Sequence, residues 1–285
     1  MITMSSSPPP TSNATATFSA DRIRPEHGET PLFRKVRRLA GEAVTGYRML
    51  EEGDRVLLAL SGGRDSLVML EVLAHFRACA PISFVLGAVT FDPGFPEFNA
   101  DAVGAYCRSL GVPHRVESLD IPAVLAAHSD CGRKRRPCVL CSRLRRGRLY
   151  RFARAKGFNK LALRHHLDDI LISFLISLWR GQGLSTMAPR VAADTAAGEG
   201  AAEELTIIRP LALAPESLVK GAAAEFAFPE AGVCPYHEEL ATGDRVWAAR
   251  RIAEWEKRIP NIRQNMLRSL SDLRPGWLLD KRFLP

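Results

Sequence analysis

Residues 55–66 read Arg-Val-Leu-Leu-Ala-Leu-Ser-Gly-Gly-Arg-Asp-Ser. The apolar run 56–60 has the length of a buried strand and stops abruptly on Ser61-Gly62-Gly63. A helical pattern then runs through Leu67, Leu70, Val72, Leu73 and Phe76. A strand, a glycine turn and a helix make the first half of a βαβ unit, and the chain repeats that alternation outward from it. Upstream, 32–49 has helical spacing at Leu32, Val36, Leu39, Ala43 and Tyr47, with basic residues between. Downstream, 83–91 reads as a second strand, 97–110 as a helix closed by Gly111, and 112–118 as a third strand. Residues 140–156 read as a helix ended by Gly157, 160–163 as a fourth strand, 168–179 as a helix, and 206–209 as a last strand before Pro210. Strands alternating with helices predict an α/β fold, a Rossmann-like parallel sheet with helices on both faces.

Residues 1–30 are rich in Ser, Pro, Thr and Ala and read as a disordered tail. The α/β part then spans 31–213, and a helical C-terminal region follows over 214–285. Residues 192–205 lack periodicity and read as a mobile loop. In the C-terminal region Trp247, Ile252, Trp255 and Ile259 form a stripe expected to pack as core.

The longest apolar runs have strand or helix length, short of the roughly 20 residues that span a bilayer, so no membrane association is expected. Six cysteines among 285 residues, without an export signal, argue against a disulfide framework and for a reducing cytoplasm. The net charge of +8 is modest but unevenly spread. Arg133, Lys134, Arg135, Arg136, Arg143, Arg145 and Arg146 open a basic stretch that continues to Lys156 with no Asp or Glu. A solvated helix face mixes signs, so this stretch points to a polyanion partner.

Two segments carry nucleotide chemistry. In Ser61-Gly62-Gly63-Arg64-Asp65-Ser66 the glycines permit close backbone approach, and the turn's amides open a helix N-terminus. The serine hydroxyls add donors, and Asp65 can hold magnesium. No Gly-Lys-Ser/Thr follows, so this is not a Walker loop. After the fourth strand comes His165-His166-Leu167-Asp168-Asp169, at the carboxyl edge where open α/β sheets bind ligands. Asp168 and Asp169 suit magnesium held against phosphates. Ordinary capping residues and satisfied core histidines are the plainer alternative.

Cys138-Val-Leu-Cys141 is a Cys-x-x-Cys pair running into the basic stretch. A redox dithiol, a zinc site and an iron–sulfur site all use such a pair. The best further thiolate is Cys234, in Gly232-Val-Cys-Pro-Tyr-His237. With His237 the set makes a closed Cys₃His zinc site. With three thiolates alone it leaves an open position on a [4Fe–4S] cluster.

The Ser-Gly-Gly-x-Asp-Ser loop after an apolar strand resembles the pyrophosphate-binding loop of the N-type (PP-loop) ATP pyrophosphatases. Those enzymes have an adenine nucleotide alpha hydrolase-like (HUP) fold and cleave ATP to AMP and pyrophosphate. Further segments narrow the resemblance: Glu51-Glu52-Gly53-Asp54-Arg55, Pro93-Gly94-Phe95-Pro96-Glu97, Cys138-x-x-Cys141-Ser-Arg-Leu-Arg-Arg-Gly147, His165-His166-x-Asp168-Asp169 and Ile208-Arg209-Pro210-Leu211. In that order, over 35–285, they are similar to the tRNA 2-thiocytidine biosynthesis (TtcA) family, sulfurtransferases acting on a cytidine of the tRNA anticodon loop. The resemblance implies ATP, Mg²⁺ and a [4Fe–4S] cluster on Cys138, Cys141 and Cys234. It implies ATP held by Ser61 to Ser66, His165, His166 and Asp169, and tRNA gripped by the basic stretch. The chemistry it implies adenylates the C2 oxygen and then replaces it with sulfur. That calls for a sulfur donor such as a cysteine desulfurase, and a homodimer is compatible with the chain. A relative modifying another tRNA base around a structural zinc, and a non-catalytic nucleotide- or RNA-binding protein, are the competing readings.

Three positions depart from the family pattern. Arg64 stands where Lys is usual, Arg164 replaces the glycine before the His-His pair, and His237 ends what is usually a second Cys-x-x-Cys. Cys131 is an extra thiol, read as incidental. Cys79 and Cys107 lie on apolar helical patterns and are expected to be buried.

Overall fold

The computed structural model describes residues 30–124, 137–193, 205–232 and 243–283, with the backbone alone at 137–140. All but the last residue of the tail expected at 1–30, most of the loop expected at 192–205, Cys131, Arg133, Lys134, Arg135, Arg136, Cys234 and His237 lie outside the described residues. In chain order the elements are α1 (Pro31–Gly46), β1 (Arg55–Leu60), α2 (Arg64–Cys79), β2 (Val85–Asp92), α3 (Ala100–Ser109) and β3 (His114–Ser118). They continue with α4 (Pro137–Ala155), β4 (Lys160–Ala162), α5 (Leu167–Trp179), β5 (Arg190–Ala192) and β6 (Thr206–Ile208). Helices α6 (Glu216–Ala224), α7 (Asp244–Arg258) and α8 (Ile262–Ser271) follow, with short 3₁₀ turns at Pro275–Trp277 and Lys281–Phe283.

The strands form one six-stranded sheet in the order β3-β2-β1-β4-β6-β5. All neighbours are parallel except β5, which runs antiparallel beside β6. β5 is the one element the sequence reading missed. Its three residues are exposed, so no apolar alternation marks them. The chain winds to one side from β1 through β2 to β3, then crosses back to β4 and β6. The strand order therefore reverses between β1 and β4, where parallel sheets open a crevice at their carboxyl ends.

Period-2 alternation divides the core. Val56, Leu58 and Leu60 of β1 face a cluster shared with α1, α2, α3 and α6. Leu57, Val89 and Leu161 face the other way, against Leu149 and Ala153 of α4. A third cluster joins Leu167, Leu171, Ile172 and Leu175 of α5 to Ala248 and Ile252 of α7. The expected C-terminal core stripe is corrected here. Ile252 alone is buried, while Trp247, Trp255 and Ile259 stay exposed, because α7 turns only its Ala248–Ile252 face to α5. Cys107 is buried as expected, but Cys79 is exposed, since it ends α2 as the chain turns away from the core. Among the described residues, no helix is long and apolar enough to cross a membrane.

Candidate active site

The crevice between β1 and β4 gathers most of the expected residues. β1 delivers Ser61, and Gly62 makes the turn with φ +78°, a conformation that favours glycine. A Cβ there would lie 2.5 Å from the Ala231 Cβ. Gly63 is the extended N-cap of α2 and provides no side-chain cap. The first amides of α2 are left open at the positive end of the helix dipole, which favours an anion. Ser66 holds this shape from inside. It is buried, its hydroxyl donates to the Gly63 carbonyl at 2.6 Å, and it accepts from the Ser61 N–H at 3.4 Å. Its hydroxyl is thus used in shaping the loop, whereas Arg64 is exposed at the helix start.

Across the crevice, β4 ends at Ala162 and the chain presents Arg164 and His165. Arg164 Nη1 lies 3.3 Å from Asp65 Oδ2, tying the two sides together. His165 Nδ1 accepts from Arg209 Nε at 3.1 Å. Burial pulls the His165 pKa down to about 4; the Asp169 carboxylate works against this, and the Arg209, Arg164 and Arg245 charges add to it. The ring is therefore neutral near pH 7, with its Nδ1 used as acceptor and its Nε2 carrying the proton. Arg209 comes from the Ile-Arg-Pro-Leu segment. Its role was not visible locally, since its partner lies 44 residues away in sequence.

His166 caps α5 through a reciprocal box. Its Nδ1 accepts from the Asp169 N–H, and Asp169 Oδ2 accepts from the His166 N–H. The two carboxylates expected to hold magnesium are heavily committed. Asp168 accepts from the Glu216 N–H at 2.7 Å and from Arg263 Nε at 2.8 Å. Asp169 pairs with Arg245. Burial pushes the Asp169 pKa up, yet His166, Arg245 and His165 outweigh it and hold the carboxyl below the usual range. Among the described residues, no group of three or more His, Cys, Asp and Glu is arranged to hold a metal. Asp65 keeps a partly exposed carboxylate at the crevice. Lys220 of α6 lies close enough to feel both Asp65 and Asp168, and its Nζ is 2.8 Å from Glu216.

A third segment runs along the rim. The Asn99 N–H donates to the Ala231 carbonyl at 3.0 Å. Gly232 has φ +89°, and a Cβ on it would collide with the Glu97 carbonyl. The stretch 231–232 is thereby threaded between the Ser-Gly-Gly loop and 97–99, two residues before Cys234. On the other face, Cys138 and Cys141 fall in the first turn of α4, one helical turn apart. The Cys141 thiol is free and half-buried against the cluster that holds Phe91, Leu119 and Ile121. Arg145 Nη2 sits 3.7 Å from its sulfur. Arg143 and Arg146 are exposed on the same helix.

A model of the PP-loop domain matches residues 30–224. The chain is 38% identical over 259 residues to a tRNA-cytidine(32) 2-sulfurtransferase of Azotobacter vinelandii, covering 89% of each chain. It is 37% identical over 255 residues to the protein of that name in Geobacter sulfurreducens, covering 87% of this chain and 93% of that one. Its fold is similar to that of the U34-tRNA thiolase NcsA from Methanococcus maripaludis, solved with its [4Fe-4S] cluster. The TM-score is 0.63 at 22% identity, over 86% of this chain and 80% of that one.

Proposed function

Because the chain belongs to the PP-loop family and, within it, to the tRNA-cytidine(32) 2-sulfurtransferases, we propose that it thiolates cytidine 32 of tRNA at the expense of ATP. The observation that carries this reading is the crevice between β1 and β4. There the uncapped start of α2 is tied through Asp65 to Arg164, next to the His165–Arg209 pair, and Ala231 packs on Gly62.

The α2 amides and Arg64 are suited to hold the departing pyrophosphate of ATP, and Asp65 to hold Mg²⁺ whose remaining ligands are phosphate oxygens and water. Asp168 and Asp169 keep the α5 end of the crevice in place through Arg263 and Arg245. In the first step the cytosine C2 oxygen attacks the ATP α-phosphorus, the bond to pyrophosphate breaks, and C2 carries an AMP leaving group. In the second, sulfur at the sulfide level bonds to C2, the C2–O bond breaks, and AMP departs. The neutral His165 ring offers an Nε2–H donor at the crevice throughout. The base must leave its stack to reach this depth.

The donor set fits an iron–sulfur group. Cys141 has a free thiol with a guanidinium beside it, which suits an anionic sulfur centre. Cys138 is one helical turn away, and Cys234, two residues after Gly232 in the sequence, is the third thiolate that the family resemblance supplies. Cys138, Cys141 and Cys234 would hold a [4Fe–4S] cluster, which would supply a site for sulfur from a donor such as a cysteine desulfurase. The exposed Arg143 and Arg146, with Arg133, Lys134, Arg135 and Arg136 before them, supply the phosphate grip.

Protein purified without oxygen should be brown and hold about four iron per chain, as a single cluster of this type requires. A colourless protein with stoichiometric zinc would replace the cluster with a Cys₃His site including His237. Nucleosides of tRNA from a deletion strain should lack 2-thiocytidine, restored by the wild-type gene and by Cys107→Ala but not by Cys138→Ala or Cys234→Ala. An unchanged nucleoside profile refutes the substrate assignment.

A further inference from the structure

Helix α7 runs antiparallel to α5. Trp247 and Asp244, near its start, meet Trp179 and Arg180 at the end of α5. Glu256, near its finish, shares Arg263 with Asp168 at the start of α5. One face of α7 buries Ala248 and Ile252. The exposed flank beside that face carries Trp247, Arg251, Trp255 and Arg258, spaced four, four and three residues apart, so they form one stripe. Half-open indoles are unusual in a packed face, yet Trp247 is 51% exposed, Trp255 37% and Trp179 39%. Trp179 and Trp247 meet edge to face, with ring centroids 4.3 Å apart and planes at 66°. Arg251 lies over Trp247 at 5.7 Å.

The charges on this helix have one sign left over. Asp244 is paired with Arg180, Glu254 with Arg251 and Glu256 with Arg263. Among the described residues, Arg250, Lys257 and Arg258 have no ion pair. Exposed rigid indoles beside uncommitted cations are the combination that binds unpaired nucleic-acid bases and their phosphates. A second copy of this chain would bring the same positive excess against it. The helix also leads somewhere: its Glu256 end reaches the Asp168 corner of the crevice through Arg263, about 14 Å along the helix from Trp247 at about 1.5 Å per residue.

We propose that the outer face of α7, with Trp179, is a stacking platform for unpaired bases of the tRNA loop, separate from the phosphate grip on α4. It rests on tRNA being the substrate. The platform holds the loop open beside the crevice while Arg250, Lys257 and Arg258 take its phosphates.

Fluorescence polarisation at fixed salt, with an anticodon stem-loop RNA and a blunt duplex of equal length, tests it. Trp247→Ala should weaken stem-loop binding about tenfold, the scale of one lost base stack, and leave the duplex within about twofold. Trp247→Phe, which keeps a stacking face, should recover most of that loss. Arg250→Glu should weaken both RNAs at that salt and, in a separate salt series, flatten the salt dependence. Unchanged stem-loop affinity in Trp247→Ala overturns the proposal, as does an equal loss on both RNAs. A change of oligomeric state in Trp247→Ala by light scattering overturns it in favour of a self-association surface. Failure of the substrate reading looks different: the wild-type protein then shows no binding to the stem-loop.

Discussion

Replacing Gly62 with alanine tests how the phosphate loop is built. Two costs are expected. The φ of +78° places any L side chain in the left-handed region, at about 1–2 kcal/mol. The added methyl also meets the Ala231 Cβ at 2.5 Å. Both carbons are fixed to backbone, so the clash is relieved only by shifting the 231–232 stretch, and overpacking of this kind costs about 1–3 kcal/mol. Gly62→Ala should therefore lose about 2–5 kcal/mol in urea denaturation under reducing conditions. In an Ala231→Gly background the 2.5 Å clash disappears, leaving the conformational cost of about 1–2 kcal/mol and a 3.3 Å approach to the Phe98 ring, so a coupling of up to about 3 kcal/mol is expected between the sites. ATP affinity measured by calorimetry should recover in parallel. If Gly62→Ala costs the same in both backgrounds to within about 0.5 kcal/mol, the two segments are not in contact. The account of the site as one braced unit then fails.

Asp65→Asn keeps the size of the side chain but removes its charge, and should abolish pyrophosphate release while ATP still binds; normal turnover would remove Asp65 from magnesium binding. Arg263→Ala strips the buried Asp168 carboxylate of a half-buried partner and should cost about 2–4 kcal/mol. Amide exchange should rise in α7 and α8 but not in β1 or β2, and uniform exchange would show that Arg263 does not anchor those helices. Acid should weaken the fold early. Burial lowers the pKa of both His165 and His114 from 6.5 to about 4, so between those values the unfolded chain binds protons that the native one refuses. Stability is full above about pH 7 and falls as pH drops, by about 2 kcal/mol per histidine at pH 5. His114→Gln should remove its share of that slope; an identical pH profile in the variant would contradict the assignment.

The parts of the site legible in sequence were those encoded locally. An uninterrupted apolar run ending on Ser-Gly-Gly can hardly be anything but a buried strand entering a turn, and the His-His-x-Asp-Asp segment marks a helix start by its capping chemistry. What escaped was settled over long chain separations or by choice of face. Arg245 and Arg263 reach Asp169 and Asp168 across 76 and 95 residues, so two carboxylates that read as metal ligands are found holding arginines. The tryptophan stripe had a helical period, but a period does not say which side of the helix meets the core. One alanine and one isoleucine were enough to bury one face of α7, leaving the indoles outside. β5 left no trace because an exposed three-residue strand at a sheet edge needs no apolar pattern. Ser66, read as a ligand donor, is drawn inward by the carbonyl of Gly63.

The seat of Ala231 and Gly232 against the phosphate loop has a thermodynamic consequence. On the proposed assignment of Cys234 to the sulfur centre, a displacement of Gly62 on binding ATP would bear on the chain that leads to it through Ala231, and nucleotide and sulfur centre would share an interaction free energy. Linkage makes that energy reciprocal. Whatever factor ATP imposes on metal loading, metal loading imposes on the affinity for ATP, and a chain stripped of iron would bind its nucleotide differently before any chemistry begins.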